Sequence, residues 1–394
     1  MDAMNTHQSL NRRQLLRVIG GAAVAAATAG SAGCSANLPA QALVAWQGPG
    51  AETDLRRWLL AHAILAPNAH NLQAWLVDLR EPDVITLRID LQRLLPQTDP
   101  LSRQSVISQG GFLELLVLAA RQRGFRAEIS AFPEGAFGPD GPDARPVARV
   151  QLLADASLAP DPLFAQIFNR HTNRADYSPQ PPDALALATM RASVAGLPVQ
   201  IGFTEPDQVE LLQAQRQIAM AAWRTELVTP RTLLESYKVL RIGPDEISRH
   251  RDGLSLNDPL VRALTALGLF DRSQPSDPES SALKGQIDRF NQSIVATPAF
   301  CWLTTADNQR GTQLAAGRAW VRAQLAATAQ GLSMHPLSQA LQEYPEQAPH
   351  HAAIHGLLGA TPAPRTVQMW ARLGQGPKIQ PSPRRGVDAH LQAG

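Results

Sequence analysis

Apolar positions recur at helical spacing over 51–66 and again, almost without polar interruption, over 105–123. A period near 3.6 built from Leu, Trp, Ala and Ile predicts two helices. Pro67 stops the first, and Gly124 follows the second in the place of a C-terminal cap. Between them, 74–79 and 84–89 read as strands joined by the turn Arg80-Glu81-Pro82-Asp83, and 125–131 and 147–153 read as two more. A related series returns later in the chain. Residues 300–305 predict a strand, 313–330 a helix capped by Gly331, and 332–336 the start of another strand. The stretches LVLAARQRGF and RAQLAATAQGL share the order apolar, Ala-Ala, polar, Gly, aromatic or Leu. That weak internal repeat is of the kind expected when two similar subunits have been fused.

The first 34 residues follow a different rule. Asn11-Arg12-Arg13-Gln14-Leu15-Leu16-Arg17 precedes an uncharged run of small and apolar residues that ends in Ser31-Ala32-Gly33-Cys34. A charged start, a short apolar middle and small residues before a break are the anatomy of an export signal, and the adjacent arginines mark the twin-arginine type. The run is short and alanine-rich for a spanning helix. An ordinary N-terminal helix is the alternative. Cys34 resembles a lipoprotein attachment site, although Ser31 stands where a larger aliphatic residue is usual. The expectation is an exported protein, periplasmic or membrane-anchored, touching the membrane only through its signal or a lipid. With Cys34 lipidated or removed, Cys301 is a lone thiol and no disulfide forms.

Composition narrows the classes. The chain has 394 residues, a prior for two or three units, with 44% hydrophobic and 18% charged residues, which argues against general disorder. The net charge is +2, and 36 basic residues include only Lys238, Lys284 and Lys378 as lysines; no dense basic stripe suits nucleic acid. We read 40–155 as one half and 160–394 as the other, with a junction at the Pro-containing 155–161. Residues 229–293 have no counterpart in the first half and predict an inserted lid. The fold class is α+β, with two related halves, each a mixed or antiparallel sheet packed by helices.

Three segments carry candidate chemistry. Ala66-Pro67-Asn68-Ala69-His70-Asn71-Leu72-Gln73-Ala74-Trp75 joins a helix to a strand, and its amides and imidazole offer donors and acceptors together at a reversal of the chain. An Asn-rich turn satisfied by its own backbone is the alternative. Asn169-Arg170-His171-Thr172-Asn173-Arg174 places two arginines about a threonine, a set that can converge on a phosphate or carboxylate, or else form an exposed charge run. Arg372-Leu373-Gly374-Gln375-Gly376-Pro377 gives way to a Gly/Pro-rich tail ending in Pro383-Arg384-Arg385. GxSxG, GxxxxGK, HExxH and a GxGxxG after a strand are all missing. His351 and His355 could share a helix face for a metal, but no third ligand is spaced to match.

Together the segments resemble the nitroreductase-like FMN-binding flavoproteins, and within them the exported twin-arginine branch called Acg-type oxidoreductases. APNAHNLQAW is similar to that family's APSxxNxQPW, with Ala74 for the second Pro, and RHTNR is similar to its RxSxR, with Thr172 for Ser. The resemblance implies FMN as cofactor, NADH or NADPH as electron donor and a small-molecule acceptor. In the ordinary family both segments occur in every half-sized subunit, and FMN lies between partners. Here the first half has APNAHN and only Leu55-Arg56-Arg57 where RxSxR would stand, while the second has RHTNR alone. The resemblance therefore implies a fused pseudo-dimer, a monomer with one FMN site. It puts Arg170 and Thr172 on the phosphate and ribityl chain, and Arg174 near the N1/O2 edge of the flavin. Asn68, His70, Asn71 and, as a brace, Gln73 approach from the other half. Pro336 and Ser338 line the face or N5 region, and Arg384 with Arg385 completes the phosphate clamp. It implies hydride transfer through flavin N5 in alternating half-reactions, for which no catalytic side chain is named. Twin-arginine export suits a protein that loads FMN before leaving the cytoplasm. A nicotinamide donor is not expected outside, so a non-catalytic FMN-binding protein with a lid over the flavin is the alternative, and a flavin-free relic a third reading.

Overall fold

The computed structural model describes residues 37–392. The expected export signal and Cys34 lie outside the described residues. In the first half, α1 (Leu55–Ala63) begins where Asp54 accepts the amides of Arg56 and Arg57. Then come β1 (Trp75–Asp78), β2 (Val84–Ile89), α2 (Arg103–Gln122), β3 (Phe125–Ala131) and β4 (Ala148–Ala154). These strands form one antiparallel sheet in the order β1-β2-β4-β3.

The second half opens with α3 (Ala184–Ser193) and β5 (Gln200–Phe203). A long excursion follows: α4 (Val209–Val228), α5 (Pro230–Lys238), β6 (Leu240–Ile242), α6 (Gly243–His250), β7 (Leu254–Leu256), α7 (Pro259–Ala266) and α8 (Ser281–Val295). The chain then resumes with β8 (Ala299–Thr305), α9 (Arg310–Ala329), β9 (Ser333–Pro336), α10 (Ala348–Leu357) and β10 (Thr366–Gly374). The second sheet is antiparallel in the order β5-β8-β10-β9, which is the path of the first sheet strand for strand. A short turn joins β1 to β2, whereas α4 to α8 separate β5 from β8. The segment without a counterpart thus starts at α4, ahead of residue 229, because α4 already lies between β5 and β8, where the first half has only the turn between β1 and β2.

The two long helices tie the halves together. Gly110 and Gly317 stand seven residues after the first residues of α2 and α9, and they meet at the crossing. A Cβ on Gly110 would lie 2.0 Å from the Leu314 carbonyl, and one on Gly317 would lie 1.8 Å from the Ile107 carbonyl. The contact is reciprocal, as expected across a pseudo-twofold axis. The arginines that open the helices reach across likewise. Arg103 donates to Gln368 O (2.8 Å), Leu341 O (2.7 Å) and Glu343 (2.6 Å), and Arg310 to Leu101 O (2.8 Å) and Gly138 O (3.0 Å). One apolar core runs through both sheets and this helix pair, with Phe112, Leu116, Trp320 and Leu325 inside it. Two smaller clusters lie beside it: one packs Ala222 and Phe290 of the inserted segment against Phe300 of β8 and Trp370 of β10, and one, around Leu233, Tyr237 and Leu283, lies within the inserted segment. Among the described residues no helix is long and apolar enough to cross a membrane.

Candidate functional site

Between α1 and β1 the chain makes a tight reversal in which His70, Asn71 and Gln73 adopt positive φ (47°, 56° and 53°). Asn68 stabilises it, accepting from the Gln73 amide (2.8 Å) and donating to Ala66 O (3.0 Å). Non-glycine residues held there cost on the order of 1–3 kcal/mol each, so the surroundings must fix them. Asn71 donates to Pro383 O (3.0 Å) and accepts from Arg384. Gln73, fully buried, donates to Arg251 O (2.9 Å) and accepts from the Arg385 amide (2.9 Å). These two amides lash the turn to the insertion and the C-terminal tail. Asn68 and His70 are left facing a cavity.

Arg170 to Arg174 lies beside β9. Thr172 bridges to Met334 in parallel, the Asn173 amide donates to Met334 O (3.1 Å), and the Asn173 side chain donates to Ser333 Oγ (3.1 Å) and Pro377 O (2.8 Å). This clamp sets Thr172 and Arg174 on the same cavity as Pro336 and Ser338. Arg174 is exposed on it, and among the described residues no carboxylate pairs with its guanidinium. Surrounding protein still lowers its pKa from the ordinary arginine value. Burial and the Arg174 charge push His70 down to about 4 and hold His335 well below the usual imidazole range. One cation is thus flanked by two neutral imidazoles.

The cavity measures about 230 Å³ and draws on three parts of the chain. The first half contributes Pro67, Asn68, His70, Gln104 and Ser108; the second half Thr172, Arg174 and His335 to Gln339. The insertion contributes Trp223, Glu226, Tyr237 and Phe290, with Trp223 and Phe290 stacked at 4.6 Å. Sequence reasoning missed His335, Gln104, Ser108 and these insertion residues. His335 falls in the predicted strand 332–336, Ser108 in the predicted helix 105–123, and Tyr237 and Phe290 in the predicted lid 229–293, whereas Gln104, Trp223 and Glu226 lie outside every segment singled out.

Arg170, Arg384 and Arg385, expected on a phosphate, do not line the cavity. Arg170, 2% exposed, donates to Leu65 O (2.9 Å) and Gln324 (3.1 Å). Arg384 donates to Ile64 O (3.1 Å) and Ala66 O (3.2 Å), a cation just past the C-terminal end of α1, where the helix dipole favours it. Both guanidiniums lie near the Trp46 ring, at 5.9 and 5.4 Å. Burial lowers Arg170 to about 10 and Arg384 to about 9. Arg385 is buried as well and donates to Gln73 O, and burial lowers its pKa to about 10. Asn71 and Gln73 likewise face away from the cavity. Spacing along a chain does not say which way a long side chain turns, and here the backbone carbonyls at the end of α1 compete for the arginines. The Nε of Arg170 and Nδ1 of His171 remain buried without partners.

The arginines of the first half, Arg56 and Arg57, are engaged with Leu79 O (2.7 Å) and Glu52 (2.8 Å). The rings of His351 and His355 stack at 3.9 Å, and His355 uses its nitrogens on His351 O and the Val367 amide. Among the described residues no cluster of His, Cys, Asp and Glu could hold a metal. Cys301 is a buried free thiol, its pKa raised by burial.

No protein-family profile matches the chain. Two Mycobacterium tuberculosis proteins, from strains CDC 1551 and H37Rv and each named "Putative NAD(P)H nitroreductase", are 27% identical over 352 residues, 86% of this chain and 90% of theirs. Among solved structures, the FMN-dependent nitroreductase NfnB from Mycobacterium smegmatis in complex with NADPH aligns with 57% of this chain and 95% of its own, at 14% identity and a TM-score of 0.36. A nitroreductase with bound FMN from Bacteroides fragilis covers 56% of this chain and 92% of its own, at 12% identity and a TM-score of 0.31. Over most of its length the chain is thus similar to two mycobacterial proteins that are named as nitroreductases.

Proposed function

We propose that the protein is an FMN-dependent oxidoreductase of nitroreductase type with one flavin site per chain, built between the halves of a fused dimer. The observation that carries this reading is Arg174: an exposed guanidinium without a carboxylate partner, on a cavity that gathers Asn68 and His70 from one half and Thr172, Pro336 and Ser338 from the other. These residues fit the ring of a flavin. The amide of Asn68 and the hydroxyls of Thr172 and Ser338 offer donors and acceptors for its polar edge, and Arg174 offers a fixed positive charge. Arg170, the residue expected at the phosphate, does not line this cavity, and its terminal nitrogens serve Leu65 O and Gln324. When bound, FMN supplies two-electron hydride exchange between a reduced nicotinamide and a small-molecule acceptor. The chain positions the reactants: Arg174 stabilises negative charge on the reduced ring, His70 and His335 stay neutral beside it, and Trp223, Tyr237 and Phe290 exclude water. The likeness to proteins named as NAD(P)H nitroreductases supports the donor class.

We also propose that the protein is a monomer, exported by the twin-arginine route, and so of the Acg type. A second reading, a flavin holder that does not turn over, is favoured by the insertion, which contributes Trp223, Tyr237 and Phe290 to the cavity wall. One experiment separates the two. The purified protein is expected to be yellow with one FMN per chain and to bleach on anaerobic addition of NADPH or NADH. A stable yellow protein supports the holder, and a colourless one that takes up no FMN defeats both.

A further inference from the structure

Glu226 is the one carboxyl among the described residues that line the cavity. It lies near the C-terminal end of α4, three residues after Trp223 and one before Leu227, so the three share a helix face on the cavity. The residue is 4% exposed. Among the described residues no arginine or lysine pairs with it. Its Oε2 accepts from Gln342 Nε2 at 2.9 Å, Gln339 is a second hydrogen-bonding neighbour, and the titratable groups facing it are Glu235 on α5 and Tyr344. Arg103, which reaches the same cavity, is taken up by Glu343, Leu341 O and Gln368 O. Three donors converge on Glu235 instead, from the amides of Gln97 and Thr98 and the Thr98 hydroxyl. A desolvated carboxyl without a cation and beside a second carboxyl holds its proton, and the pKa of Glu226 is raised to about 7.

We infer that Glu226 is the acid that delivers a proton to the acceptor, an inference that rests on the oxidoreductase reading above. The acceptor class follows from the wall around it. Trp223, Phe290, Leu227 and Leu233 line the cavity together with Glu226 and give it aromatic and aliphatic surface, which suits a planar, uncharged, conjugated carbonyl such as a quinone. When such an acceptor gains a hydride, whose two electrons come from a reduced nicotinamide, negative charge gathers on its oxygen. The O–H bond of Glu226 then breaks and a new O–H bond forms on that oxygen. The acceptor has gained two electrons and two protons, and the carboxylate regains its proton from water. Placed on the insertion, this acid belongs to the segment that has no counterpart in the first half.

The test uses the flavin-loaded protein with menadione as the acceptor, and Glu226→Gln, which keeps size and the contact to Gln342 but has no acidic proton. The rate at which pre-reduced protein is reoxidised by menadione is expected to fall roughly 100-fold or more, with reduction by NADPH changed less than about threefold. Glu226→Asp, which keeps the acid, is expected to retain more of the rate than Gln. Independently of turnover, the infrared spectrum should show a protonated carboxyl band that titrates near pH 7 and is missing from Glu226→Gln. Reoxidation of Glu226→Gln at the wild-type rate, equal losses in Gln and Asp, or an unchanged infrared band would each overturn the assignment. A protein that binds FMN and bleaches while Glu226→Gln behaves as wild type sinks this inference alone, whereas a colourless protein sinks it together with the function it rests on.

Discussion

Two arginines of neighbouring motifs have opposite surroundings, and substitutions should separate them. Arg174 has no ion-pair partner among the described residues, so Arg174→Ala is expected to leave the melting temperature near that of the wild type. Its cost should fall on the ligand: a charge-assisted hydrogen bond contributes about 1.5–3 kcal/mol, a loss of roughly ten- to more than a hundredfold in FMN affinity by fluorescence titration. Unchanged affinity would remove Arg174 from the site. Arg384→Ala should behave in reverse, since it strips a donor from Ile64 O, Ala66 O and Asn71 and leaves buried acceptors unpaired. A loss of about 1–3 kcal/mol in urea unfolding is expected. The types of these residues and their order along the chain were legible in the sequence. Which arginine faces the cavity was not, because the competing acceptors are carbonyls brought near by the fold.

At the scale of elements, the crossing of α2 and α9 makes its own prediction. Gly317→Ala places a methyl group against Ile107 O, and backbone on both sides cannot yield as a flexible side chain would. Destabilisation of roughly 1–3 kcal/mol is expected in thermal melts, and the same for Gly110→Ala. Once either has pried the helices apart the second should cost less, so the double variant is expected to fall short of the sum. Additive losses would show that the two glycines do not share one contact. The helices and strands around this crossing were readable from period and caps, and the matched stretches before Gly124 and Gly331 announced the repeat. The four-residue strand β5 and helix α3 went unread, being too short and too mixed in polarity to carry a period. A mid-helix glycine reads as a weakness in sequence; only the approach of a second helix explains why one stands at the same place in each.

The whole molecule buries many histidines in neutral form, which makes stability depend on pH. Burial lowers His70, His171 and His355 to about 4 and His390 to about 3, and holds His335 well below its ordinary value of 6.5. Below pH 6.5 the unfolded chain binds more protons at these sites than the folded one, so their stabilising contribution is present above that pH and lost as pH falls toward 4. Asp99, raised to about 6, and Glu226, raised to about 7, oppose this: their contribution is present at low pH and lost as pH rises through those values. The histidines outnumber them, so the melting temperature should fall steadily from pH 6.5 to 4. A flat or rising profile over that range would show that these imidazoles are already protonated in the fold. By itself the sequence determined that this chain folds as two related α+β halves and carries two complementary motifs, because period, caps and turn chemistry are local and act within a few residues. Only the tertiary structure decided that Asn68, His70, Thr172 and Arg174 meet at one cavity, that Arg384 closes a helix instead, and that the insertion brings Glu226 to the same wall. Those outcomes depend on competition among donors, acceptors and apolar surfaces far apart in the chain, which no local pattern records.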